Sequence, residues 1–181
     1  MNIALKEWAS VIRALETGRQ VVLLRKGGIS EVEGRFEVTH SEFLLYPTFE
    51  HQDERMLRRE FRNLADETTK EHRPGFVRLN SCARVREIIE AGNRADLDRF
   101  VGQHVWEDSY LDMRLAYKPE RPLYVLVLQV YRLAHPVEIP ETPHYAGCRS
   151  WVNLEMDVAT AGAIAVLFGH DSDAKNRLRA D

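Results

Sequence analysis

The chain has 181 residues, 44% of them hydrophobic and 29% charged, and a formal net charge of −3. These values fit one domain with a real core and argue against a protein coated in basic charge, although a local basic patch survives a near-neutral total. Its two cysteines, Cys82 and Cys148, cannot build a disulfide framework or a four-thiolate zinc site, and read as free thiols in a reducing cytoplasm.

The opening MNIALKEWAS is interrupted by Lys6 and Glu7 before any secretory apolar region. The first expected element is a helix over residues 3–17, because Trp8, Val11, Ile12 and Leu15 recur at i, i+3, i+4 and i+7. Gly18 is placed to stop it. Residues 21–24 form a short apolar run, expected as a buried strand, which Gly27 and Gly28 break. Phe36 and Val38 alternate with polar residues, so a half-buried strand is expected there, and residues 43–46 make another that Pro47 should end. A second helix is expected over residues 53–65, with Leu57, Phe61 and Leu64 inward and Arg55, Arg58, Arg59 and Arg62 on the opposite face.

Strands are expected at residues 76–79 and, with a helix as the weaker option, at 83–89; a helix is expected at 95–105. Residues 123–133, LYVLVLQVYRL, form the strongest strand signal, being rich in β-branched and aromatic residues. Three prolines make residues 135–145 an expected extended loop. SWVNL follows, then an expected helix from 157 to 168 and a polar end. That last apolar stretch is well short of the ~20 residues that cross a bilayer, so a cytoplasmic protein without a membrane span is expected. The organisation expected is one α+β domain over residues 1–156 and a C-terminal helix with a polar tail over 157–181. Strands without regular helical crossovers favour α+β over a doubly wound parallel sheet.

Several groups are candidates for chemistry. The four arginines of the second helix would make a positive stripe able to follow a phosphate backbone, or a solvated face paired with Glu54 and Glu60. Basic residues outnumber acids from 55 to 86, and the reverse holds from 87 to 120. Arg25, Lys26, Gly27 and Gly28 could hold an anion on backbone N–H groups, or simply turn a hairpin. His40, Glu42, His51 and Asp53 offer metal-ligand types, but no compact ligand pair occurs, and hydrogen-bonding side chains lining a cleft, or satisfied histidines at the core edge, are the favoured reading. Cys148, near Tyr145 and Trp151, is read as structural in preference to a nucleophile.

No Gly-x-Ser-x-Gly elbow and no deaminase Pro-Cys-x-x-Cys is present. The one acidic-x-Lys triplet, Asp173-Ala174-Lys175, sits in the polar tail, not on a core strand where a Mg²⁺-dependent nuclease would need it.

The segments ALKEWASVIRAL, VVLLRKGGI, FEVTHSEFLLYPTFEHQ, LVLQVYRL and YAGCRSWVNL resemble a prokaryotic family catalogued as domain of unknown function 1802, over most of the chain up to about Leu154. Some members are joined to a restriction-endonuclease-type domain, so the resemblance implies a restriction-modification setting. More loosely, the order of elements is similar to the PUA and ASCH group, small β-barrels that bind RNA or modified DNA bases through a cleft. The fold expected is therefore α+β: a curved, mostly antiparallel sheet or small barrel flanked by helices.

The function expected is a DNA- or RNA-binding module, a candidate reader of a modified base, with no cofactor and no metal. Arg55, Arg58, Arg59 and Arg62 would position the backbone, and Arg25, Lys26, Gly27 and Gly28 would hold a phosphate or base edge. His40, Tyr46, His51, Gln52 and Trp151 would line the specificity pocket. The rivals are an enzyme on a small substrate or nucleotide with His40 or His51 as acid–base, and a non-catalytic partner-binding subunit.

Overall fold

The structure, a computed structural model, describes residues 1–26, 29–32, 35–147 and 150–169. The chain begins with strand β1 (Ile3–Trp8), followed without a break by helix α1 (Ala9–Glu16), then β2 (Val22–Arg25), β3 (Ile29–Val32), β4 (Arg35–Val38) and β5 (Glu42–Thr48). Helix α2 (Asn63–Glu71) leads into the long strand β6 (Phe76–Ala91). Two short helices, α3 (Arg94–Asp98) and α4 (Asp108–Ala116), precede β7 (Leu123–Pro140), and β8 (Trp151–Asn153) and β9 (Ile164–Ala165) complete the described chain.

The fold is α+β. One sheet runs in the order β2-β7-β6-β5-β1-β8, with β9 added on β7, and β3 with β4 forms a separate hairpin. Every pairing is antiparallel except β1 with β5. The path ends at β2 on one side and β8 on the other, so the sheet is open and not a closed barrel. Register shifts between Leu79 and Ser81 and between Val85 and Glu87 mark irregularities in β6, the device by which a strand bends.

Both faces of the central strands are covered. Leu5, Phe43 and Leu45 pack with Val11, Ile12 and Leu15 of α1, whereas Ala4, Leu44 and Tyr46 join Val77, Leu79, Leu133 and Val152 in a second core cluster. Alternation puts neighbouring residues on opposite faces, so the continuous apolar run FLLY of β5 belongs to a strand buried on both sides. Burying each large aliphatic side chain contributes about 1.5–3 kcal/mol.

Several expected elements take another form, each for a tertiary reason. Residues 3–8 are strand and not helix, because β5 and β8 both pair with them and satisfy their backbone groups. The 53–65 helix is replaced by two 3₁₀ turns, Glu54–Met56 and Arg59–Phe61, before α2 begins. Leu57 between them is extended and bridges Trp106, while Arg58 N–H donates to Val105 O at 2.9 Å. That pairing breaks the helical ladder. Pro47 does not end β5, which continues to Thr48 paired with β1.

The two expected strands at 76–79 and 83–89 are one strand, β6. The expected 95–105 helix ends at Asp98, and α4 lies where no element was expected. Strand β7 runs on to Pro140 through the expected loop, with Pro136 in the stretch where the register shifts and no ladder donor is required. Residues 157–168 form no helix: Met1 N donates to Val158 O at 2.9 Å, and β9 pairs with Tyr131 and Arg132.

Candidate functional site

Among the described residues, the expected site residues are divided between separate places, with only His40 and Trp151 brought into ring contact. Arg25 donates to Lys6 O at 3.0 Å and to Glu7 Oε2 at 2.9 Å, so its guanidinium ties β2 to the end of β1. Lys26 Nζ donates to the carbonyls of Leu115 and Lys118 at 2.9 and 3.2 Å, at the C-terminal end of α4, where a cation complements the helix dipole. Gly27 and Gly28 lie outside the described residues, as do Cys148 and the Asp173-Ala174-Lys175 triplet.

The arginine row does not form on one helix. Arg55 makes a double contact with Asp53, at 3.0 and 2.9 Å, which also accepts from the Arg55 backbone. Arg62 donates to Leu57 O and Glu107, Arg59 is exposed, and Arg58 follows the extended Leu57.

Among the expected pocket residues, His40 and Trp151 meet edge-to-face at 5.1 Å, and Trp151 also packs on Phe43 at 5.0 Å. Tyr46 is buried in the second core cluster, and burial pushes its phenol up. Gln52 Oε1 accepts from Ser10 N at 2.8 Å, and its amide faces Ala65 O and Thr68 Oγ1 of α2. It therefore caps α1, whose preceding residue Trp8 supplies no capping side chain. His51 is exposed with φ of 63°, a left-handed conformation uncommon outside glycine. Glu42 pairs with Arg84 at 2.6 Å, and among the described residues no group of His, Cys, Asp or Glu comes together to hold a metal.

A different set of side chains does converge, between α1, α2 and the far ends of β6 and β7. A pocket of about 110 Å³ has Ala9, Ile12, Pro47, Phe49 and Phe76 among its apolar walls, with Arg13 and Glu16 among its polar ones. It shares Arg13, Glu16, Glu71, Arg78 and Asn80 with a broader groove of about 660 Å³ that Arg132 also lines. Arg13 makes a forked ion pair with Glu71, at 2.5 and 3.3 Å, joining α1 to α2. His72 stacks on Phe49, with ring centres 3.9 Å apart and planes 20° apart. Arg73 sits 4.0 Å above the Phe76 ring and donates to Glu138 at 2.6 Å. Arg78 donates to Asn80 at 3.1 Å.

Glu16 sits within this cluster and is only 6% exposed. It accepts a hydrogen bond from Ser81 Oγ at 2.7 Å, and its other oxygen lies 4.0 Å from Arg13 Nε. Burial pushes its carboxyl above the usual carboxylate range, against the opposing effects of the Ser81 hydroxyl, Arg13 and Arg132. A desolvated acid with specific partners beside a cleft is a mark of a functional site. None of the residues expected from the sequence lines this pocket or groove. One signal for it was present: Glu16 falls four residues after Ile12, on the apolar stripe of α1, where a charge is out of place. The other contributors come from distant segments and share no local pattern.

The fold has a counterpart among solved structures. It is similar to ASCH from Zymomonas mobilis, with 12% sequence identity, a TM-score of 0.50, and coverage of 84% of this chain and 87% of that one. A mutant form of the same Zymomonas mobilis protein aligns at 10% identity over 84% and 89% of the two chains, with a TM-score of 0.47. Residues 4–175 match the family described as a domain of unknown function (DUF1802), and the chain belongs to that family. No curated protein matches it. Among the described residues no helix is long and apolar enough to cross a membrane.

Proposed function

We propose that this protein is a nucleic-acid-binding module that takes an unpaired segment of DNA or RNA into the groove between α1, α2, β6 and β7. The observation that carries this reading is the shared wall of pocket and groove: Arg13, Arg78 and Arg132 stand beside a small cavity flanked by Phe49, His72 and Phe76. Guanidinium groups suit phosphate oxygens in paired geometry, and aromatic faces accept bases of any sequence. In the groove Arg13, Arg78 and Arg132 outnumber Glu16 and Glu71 by one, with Arg13 already paired to Glu71, so Arg78 and Arg132 are the cations proposed to meet the phosphates of a single strand beside the small cavity. The same reading places the protein in the cytoplasm, in the restriction-modification setting that its family resemblance implies.

Fluorescence anisotropy with labelled single- and double-stranded DNA and RNA tests this. Single strands should bind more tightly than duplexes, with affinity falling steeply as salt rises. Replacing Arg78 and Arg132 with alanine should weaken binding to all sequences and lower the salt slope by about 1 for each phosphate no longer neutralised. Binding that ignores salt, or none across the panel, overturns the reading.

A further inference from the structure

We propose that Glu16, anchored by Ser81, selects an amino-bearing pyrimidine ring, cytosine in chemistry, over a uracil- or thymine-like ring. This inference rests on the nucleic-acid reading and names the base that the cavity takes.

Size narrows the choice first. An apolar cavity of ~150 Å³ accepts benzene. The 110 Å³ here is below that volume, so a single six-membered ring fits it better than a purine, with its exposed edge extending into the adjoining groove. Ile12, Pro47, Phe49 and Phe76 provide contact for the faces and edges of such a ring.

Polarity narrows it further. Glu16 lines both the cavity and the groove beside it. Oε1 receives the Ser81 hydroxyl, which fixes the carboxyl group. Oε2 is 4.0 Å from Arg13 Nε, beyond hydrogen-bond range, so it retains capacity for an incoming donor. An ionised carboxylate only accepts, and the exocyclic amine of cytosine is a donor that carboxylates recognise. Uracil places a carbonyl oxygen at that edge, and two acceptors would then face each other in a site with little water.

The protonation state of Glu16 enters directly. The groups bearing on it are Arg13 of α1, Glu71 of α2, Ser81 of β6 and Arg132 of β7. An arriving N–H donor favours the ionised carboxyl, whereas a protonated carboxyl can donate to uracil. Discrimination should therefore grow as pH rises.

The test compares short fluorescent oligocytidine and oligouridine on the full chain, at fixed salt and across a pH series. The wild type should prefer oligocytidine by about tenfold at the alkaline end, the discrimination typical of one good base-edge contact, and by less at the acid end. Glu16→Gln, whose amide both donates and accepts, should bring the ratio close to unity and remove its pH dependence. Ser81→Ala retains the carboxyl but releases it, and should lower the ratio without removing its pH dependence. Cytidine and uridine monophosphates show whether the preference belongs to the ring alone, and the same order is expected with weaker binding. Equal, salt-sensitive affinity of the wild type for both oligomers overturns this inference and leaves the nucleic-acid reading in place. Absence of binding to either oligomer overturns both.

Discussion

Ser81 Oγ donates to Glu16 Oε1 at 2.7 Å, joining the last turn of α1 to β6 across 65 positions of sequence. The bond holds a buried acid in one orientation beside the groove, among Arg13, Arg132 and Glu71.

A buried acid whose native pKa is raised stabilises the fold only below its unfolded value, and that contribution is lost as pH rises through the native one. At neutral pH an ionised Glu16 is therefore a cost. Glu16→Gln keeps an oxygen for Ser81 and removes the charge. It should raise stability by about 1 kcal/mol in mildly alkaline buffer, in line with the usual opposition between stability and function. In acid the difference should vanish. Thermal melts of both proteins in the two buffers check this, and a variant less stable in both would refute it.

Arg25 and Glu7 form an ion pair at 2.9 Å with side chains only 16% and 12% exposed. Removing the cation leaves a carboxylate in a poorly hydrated place. Arg25→Ala should cost on the order of 3 kcal/mol in urea unfolding. Its affinity for single strands, measured where the variant is still folded, should equal that of the wild type. A selective loss of binding at unchanged stability would return Arg25 to the ligand site.

Gln52 supplies the acceptor that the N-terminus of α1 lacks locally. Gln52→Ala should lower stability by about 1 kcal/mol, the usual cost of removing a cap. The ratio of oligocytidine to oligouridine binding should not move. If that ratio changes and the unfolding midpoint does not, Gln52 contacts the base.

His104 is buried beside Trp106, and burial, helped by Arg58, lowers its pKa from 6.5 to about 4. Between those values the unfolded chain binds more protons than the native one. The stabilisation from a neutral His104 is thus complete above about pH 6.5 and is lost as pH falls towards 4, on the order of 3 kcal/mol in all. His104→Phe should flatten the stability profile in this window. An unchanged slope in denaturant titrations across it would show that other groups cause the acid sensitivity.

Much of the architecture was readable in local patterns. Residues 21–24, 36–38, 43–46 and 123–133 carried strand signals strong enough to survive, because β-branched and aromatic runs fit a pleated, buried surface in almost any context. Gly18 was legible as a helix stop and takes φ of 71°. The segments resembling the domain-of-unknown-function family were legible too, while the α+β expectation came from strands without regular helical crossovers and from the looser PUA and ASCH likeness.

What failed was decided by partners distant in sequence. Residues 3–7 sit next to a helical stripe, yet β5 and β8 claim their backbone. The arginine-rich segment has helical spacing, yet Leu57 pairs with Trp106 and breaks the ladder. Arg25 and Lys26 looked free to meet an anion, and tertiary contacts with Glu7, Leu115 and Lys118 engage both.

The amino-acid order by itself therefore determined the strands at 21–24, 36–38, 43–46 and 123–133 and the α+β class, which follow from periodicity and the side chains' own preferences, and the family, which follows from resemblance in sequence. Only the tertiary structure decided where the polar groups meet. Arg13, Glu16, Ser81 and Arg132 belong to three elements and become neighbours when α1 packs over β6 and β7. Desolvation of a carboxyl and the pairing of a guanidinium are properties of those contacts, and no local window of residues contains them.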